Sequence, residues 1–175
     1  MKILLMFLFL NGVFPLTLNA RTSSGSPVFL EMYICSLVRK VILLIIKLKP
    51  LGPTESYVDK HVASEYGYYV SSAEENYDYE YIRPQESGSH HACKYMAIKN
   101  LFKVTAEHPF SCSVNPFTTE QLRETLHSFE LTENDFVNVC IDLAMRGVGS
   151  HSCGPDLPDE YEIPKKFKNT FTFTF

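Results

Sequence analysis

No tryptophan occurs among the 175 residues, so large aromatic surface falls to ten tyrosines and thirteen phenylalanines. Basic residues are in the minority, 16 against 20 acidic ones for a formal charge of -4, which leaves no positive face of the kind nucleic acids require. No apolar run reaches the roughly 20 residues of a membrane-spanning helix. The chain also falls short of a complete enzyme barrel of roughly 250 residues, and reads as one module or a fragment. Its five cysteines, Cys35, Cys93, Cys112, Cys140 and Cys153, are odd in number and widely spaced. That is a poor disulfide framework for a secreted module and fits the cytosol better. His90, His91 and Cys93 crowd together, but no second Cys or His pair follows at zinc-site spacing, so no metal site is assigned.

What is present suffices for a core: 45% of the residues are hydrophobic and 13% aromatic. The chain opens with Lys2, the apolar stretch Ile3 to Leu10, and a polar segment after Ala20, the outline of a secretory signal. Asn11 and Pro15 interrupt it, and Leu18 stands where a small residue is usual. A second apolar run, Val41 to Ile46 between Lys40 and Lys47, predicts a strand. Six tyrosines from Tyr66 to Tyr81, interleaved with Glu74, Glu75, Asp78 and Glu80, suit half-buried strands and loops. Their rings can stack on the apolar face of a sugar, though packing with a hydrogen-bonded tip is the plainer reading.

Further on, Cys93 to Val104 reads as one or two strands with an irregularity, because its apolar positions fall on both parities. From Phe136 to Met145, Val137, Val139, Ile141, Leu143 and Met145 alternate with Asn138, Cys140 and Asp142, predicting a strand with one buried face. Between them, Thr118 can cap a helix and Gln121 can return the hydrogen bond, with Leu122, Leu126 and Phe129 on one face against a sheet. The tail Phe171-Thr172-Phe173-Thr174-Phe175 alternates as a terminal strand, its phenylalanines covered by the sheet or by a partner. Together these elements predict a mainly β chain: an antiparallel β-sandwich, partial on its N-terminal side, with one short helix.

Three segments stand out: Gly52-Pro53-Thr54-Glu55-Ser56-Tyr57-Val58-Asp59-Lys60, Tyr81-Ile82-Arg83-Pro84-Gln85-Glu86-Ser87-Gly88, and Gly147-Val148-Gly149-Ser150-His151-Ser152-Cys153-Gly154-Pro155. Proline fixes φ and glycine permits positive φ, so the first two are ordered turns. Glu55, Asp59 and Glu86 lie among hydroxyl and backbone donors and read as braces for these turns rather than as catalysts.

In order and spacing the three segments resemble the small-chain or C-terminal β-sandwich domain of the β-galactosidases of glycoside hydrolase family two, from about Leu51 to Phe175. Relatives approach the Gly-Pro turn through an aromatic residue and a glycine, where this chain has Lys49 and Pro50. Residues 1–50 therefore form an atypical leader outside the match, either signal-like or the product of a truncated or misframed gene. Such a leader is expected to pack loosely for want of its proper partners.

The resemblance implies no catalytic residue in this chain. The two glutamates of the retaining mechanism, with Mg and Na or K, belong by resemblance to a catalytic barrel partner, and no cofactor is assigned here. The implied role is to complete the galactose-binding cleft for hydrolysis of terminal non-reducing β-D-galactose, as in lactose-type substrates, with the chain inactive alone. The loop 147–155 would form part of the pocket wall. Cys153 stands where some relatives stack a tryptophan, and His151, Ser152 and Cys153 are the candidate substrate contacts. Gly52, Pro53, Glu55, Asp59, Pro84, Glu86, Gly147, Gly149 and Gly154 are expected to shape the loops. The implied partners are a catalytic large chain and a β-galactoside, with no nucleic acid and no membrane, in the cytoplasm. The competing reading is a secreted carbohydrate-binding or adhesion sandwich beginning near Arg21.

Overall fold

The computed structural model describes residues 2–4, 13–21, 28–34, 46–48, 50–77, 81–99, 101–134, 136–150, 153–163 and 166–174. In chain order the strands are β1 (Lys2–Leu4), β2 (Val13–Arg21), β3 (Val28–Ile34), β4 (Ile46–Leu48), β5 (Leu51–Gly52), β6 (Glu65–Tyr66), β7 (Tyr69–Ser71), β8 (His90–Ile98), β9 (Phe102–Asn115), β10 (Val137–Ala144) and β11 (Lys166–Thr174). Among the described residues one α-helix, α1 (Thr119–Glu124), lies between β9 and β10. The fold is thus mainly β, its pairings antiparallel apart from β1 on β3. Among the described residues no helix is long and apolar enough to cross a membrane.

The 14-residue strand β9 is the spine. Its first part, Lys103 to Ala106, pairs with β11, and its last part, Ser111 to Asn115, pairs with β10. β8 runs along its other edge and carries β4 and then β7 outward. Leu51 and Gly52 pair separately with β6. The register between β8 and β9 breaks on both sides of Cys93, and Ala92 adopts φ 57° there. This is the irregularity that the mixed parity predicts, since an extra residue shifts the side chains to the other face.

Apolar side chains of β8 to β11 form the core: Met96 and Ile98, Val104, Phe110 and Val114, Val137, Val139 and Ile141, Phe171 and Phe173, with Leu48 of β4. Phe110 meets Phe171 edge to face at 5.5 Å. Each such side chain stabilises the fold by about 1.5–3 kcal/mol through burial. The alternating tail therefore docks as a core strand; Phe175 lies outside the described residues. The run Val41 to Ile46 is described only at its last residue, where β4 begins.

Three expectations change. β10 alternates as predicted, but its polar side is covered too: Asn138, Cys140 and Asp142 are buried along with Val137, Val139 and Ile141. Alternation separates the two faces of a strand but does not say what covers either. The helix keeps its capping box, Thr118 with Gln121, but ends at Glu124. Only Leu122 is buried, against Tyr77 and Phe117, while Leu126 and Phe129 are exposed. Thr125 is already extended and Ser128–Glu130 forms a 3-10 turn, so the helical period that would align the three side chains is lost. Finally, the described parts of the leader join the sheet, β3 along β10 from Val137 to Ala144 and β2 along β11 over its whole length.

Candidate functional site

The three sequence segments meet at one end of the sheet, joined by two carboxylates. Glu55 is the first, its side chain 5% exposed. Lys60 Nζ donates to its Oε1 at 2.5 Å, and the Tyr81 hydroxyl donates to the same oxygen. Its Oε2 accepts from the Gly88 N–H at 3.0 Å and the Tyr57 hydroxyl at 3.2 Å. One side chain of the first turn thus holds both ends of the second. Burial pushes the Glu55 carboxyl upward, but the donors from Lys60, Tyr81 and Gly88 outweigh it and hold its pKa below the ordinary value. Burial, with the charges of Glu55 and Glu86, raises the Tyr57 phenol and keeps it a donor.

Gly88 has φ 72°, and a Cβ there would come within 1.8 Å of the Asn76 carbonyl oxygen, so no other residue fits. Beside it, buried His90 places Nε2 2.9 Å from Asn76 Oδ1. Burial pushes the His90 pKa down to about 4, with Glu55 opposing, so the ring is neutral at pH 7.

Asp59 is the second link. Its Oδ1 accepts from the Val148 N–H at 3.0 Å and its Oδ2 from the Gly149 N–H at 2.9 Å. Gly147 permits this approach, because a Cβ there would lie 2.7 Å from Asp59 Cγ and 2.3 Å from Leu157 Cδ1. The loop is fixed further by Gly147 N–H on the Tyr161 carbonyl, Leu157 N–H on Ser150 Oγ, and Arg146 bridging Asp156 at 3.0 Å and Glu162 at 2.7 Å. Its base is therefore rigid. Cys153 and Gly154 at its tip are exposed, with no atom within 4 Å of a Cβ built on Gly154. His151 and Ser152 lie outside the described residues.

Of the remaining candidates, Gly52 packs its backbone on the Tyr69 ring and Pro53 is exposed. Pro84 is buried. Glu86 contributes its main-chain carbonyl, which accepts from the Tyr57 hydroxyl at 3.4 Å. Its side chain stands over a cleft, where the surrounding protein and the Glu55 charge raise its pKa. Tyr57, Lys60 and Tyr81 belong to the segments quoted above, yet nothing in the sequence pairs Tyr81 with Glu55 across 26 positions. Arg146 carries a faint signal, since it directly precedes the third segment.

The cleft measures about 670 Å³. Asn138, Cys140 and Asp142 of β10 form its floor, residues 83–87 one wall, α1 another, and Met145 to Val148 its end. Among the described residues no group of three His, Cys, Asp or Glu side chains converges to hold a metal ion. His90 turns to Asn76 while His91 bonds Ser111, and Cys93 lies 3.4 Å from Cys112, so the His90–Cys93 cluster is dispersed.

This end of the molecule is a braced loop platform on a β-sandwich, with carboxylates committed to amides and hydroxyls. The family model described as "Beta galactosidase small chain" matches residues 50–175, and the chain belongs to that family. It is 46% identical over 125 residues to a β-galactosidase of Actinobacillus pleuropneumoniae, a stretch covering 71% of this chain and 12% of that protein. It is 36% identical over 115 residues to the Staphylococcus xylosus β-galactosidase, covering 64% of this chain and 12% of the relative. With the β-galactosidase of Kluyveromyces lactis the figures are 31% over 129 residues, 71% and 12%. The chain thus spans about an eighth of the length of the relatives it matches.

Proposed function

We propose that the chain is the non-catalytic part of a larger β-galactosidase and completes its galactose-binding cleft with the loop 147–155. The observation that carries this reading is the grip of Asp59 on the Val148 and Gly149 amides, which fixes the base of a loop whose tip is exposed. A braced loop offers a partner's pocket a wall without the entropy cost of ordering it on binding.

The bond-breaking glutamates, one acid/base and one nucleophile, belong in this reading to the catalytic portion, as do Mg and Na or K. The products come from terminal non-reducing β-D-galactosides. His151, Ser152 and Cys153 are then wall residues that position substrate by loop shape. A cytoplasmic setting accords with five cysteines that are odd in number and widely spaced.

The test is complementation. The 175-residue chain is mixed with the A. pleuropneumoniae enzyme lacking the stretch that matches it, and hydrolysis of a chromogenic β-galactoside is followed. Restored turnover is expected. A folded chain that restores none is a remnant without this role, and galactoside binding by the chain alone, in secreted form, favours the adhesion reading instead.

A further inference from the structure

The cleft beneath residues 83–87 reaches the base of the loop at Met145 to Val148 and has the makings of a binding surface. Asn138 is 3% exposed and lines the floor, and among the described residues its side-chain oxygen has no hydrogen-bond partner. An unsatisfied buried amide oxygen costs about 1–3 kcal/mol, so the site gains from a donor delivered from outside. Exposed apolar side chains adjoin the lining segments in the chain, Ile82 just before Arg83 and Leu126 and Phe129 after α1. Ile82 is 88% and Phe129 85% exposed, with Leu126 at 58% and Val148 at 44%. Ser128 Oγ donates to the Tyr81 carbonyl at 2.6 Å, which ties the Phe129 turn to the Ile82 turn. Arg83 and Arg123 line the cleft together with Leu122 and Met145.

Apolar anchors around buried polar groups form the anatomy of a protein interface. A sugar site of this size would use an aromatic platform, and none of the described residues lining this cleft is aromatic. The relatives are about eight times longer than the matched stretch, so most of the polypeptide able to seat here lies in the catalytic portion.

We infer that the cleft floored by Asn138, with the adjoining Ile82 and Phe129, is a second anchoring surface for the catalytic portion of a β-galactosidase, one that receives a loop bearing a hydrogen-bond donor for Asn138. This inference rests on the function proposed above. It adds a site of attachment beside the base of the loop, away from its exposed tip at Cys153 and Gly154.

The experiment is hydroxyl-radical footprinting of the full chain, alone and with the truncated A. pleuropneumoniae enzyme, monodisperse and folded by circular dichroism. Labelling of Phe129 and Ile82 should fall about fivefold on mixing, as burial in an interface core requires, while Tyr68, which leans on Tyr95 of β8, keeps its labelling. The double variant Ile82→Ser/Phe129→Ser, whose side chains are already exposed and whose fold should be intact, should weaken association by about tenfold or more. Restored hydrolysis with unchanged labelling overturns the inference and leaves the proposed function standing. Protection without hydrolysis does the reverse. Absence of both removes both, and protection by lactose alone overturns the inference by assigning the cleft to a small ligand.

Discussion

The sheet core and the loop platform hold together by opposite means. Around Phe171, many apolar side chains from four strands share the burden, each in contact with several others. At the platform, two carboxylates, Glu55 and Asp59, carry most of the links among three chain segments. Dispersed packing degrades in proportion to what is removed. A hub of charge-assisted hydrogen bonds instead concentrates both stability and pH dependence in single atoms.

The comparison is broken first at its strongest point. Phe171→Ala empties the middle of the sandwich and should cost about 3–5 kcal/mol in urea unfolding. A smaller loss would mean that β11 contributes less to the core than its burial indicates. Next comes acid. His90 titrates near 4 in the folded chain, against about 6.5 when unfolded, so on acidification the unfolded state takes up the proton first. Stability should be fully present above pH 7 and fall by about 3 kcal/mol between pH 6.5 and 4. In His90→Asn that part of the slope should vanish, which unfolding at pH 7.5 and 4.5 will read.

Glu55→Gln tests the hub. Removing the charge that binds Lys60, Tyr81, Tyr57 and Gly88 should cost about 2 kcal/mol at pH 7. Because the Glu55 pKa is depressed in the fold, its stabilisation is present above the ordinary carboxylate range and is lost as pH falls through the folded pKa. The gap between variant and parent should therefore close as pH falls below the ordinary carboxylate range. The smallest effect belongs to Asp59→Asn, about 1 kcal/mol or less globally. Its signature is local: the Val148 and Gly149 amides should exchange with deuterium faster, while core amides of β9 stay protected.

The same contrast governs what could be read in advance. β10 and β11 are legible because period-2 alternation is a local signal, and the Thr118–Gln121 capping box spans only four residues. The platform is legible only as turns. Which oxygen of Glu55 meets which donor depends on segments about 30 residues apart, and His90 needs Asn76 to reveal why it is buried. The cleft was hidden for a related reason. Asn138, Cys140 and Asp142 mark themselves as the polar side of a strand, but the segments that bury them arrive from before β8 and after β9. Leu126 and Phe129 misled because an apolar spacing of three or four residues persists in sequence even where the helix has stopped.

Among the described cysteines, Cys93, Cys112 and Cys140 are buried and Cys153 alone is exposed, at the tip of the anchored loop. That arrangement supplies a native chemical handle. With Cys35 replaced by serine, a maleimide fluorophore would attach where the loop meets its surroundings while the interior thiols stay shielded. Its emission would register docking or sugar entry in real time, with no cysteine added.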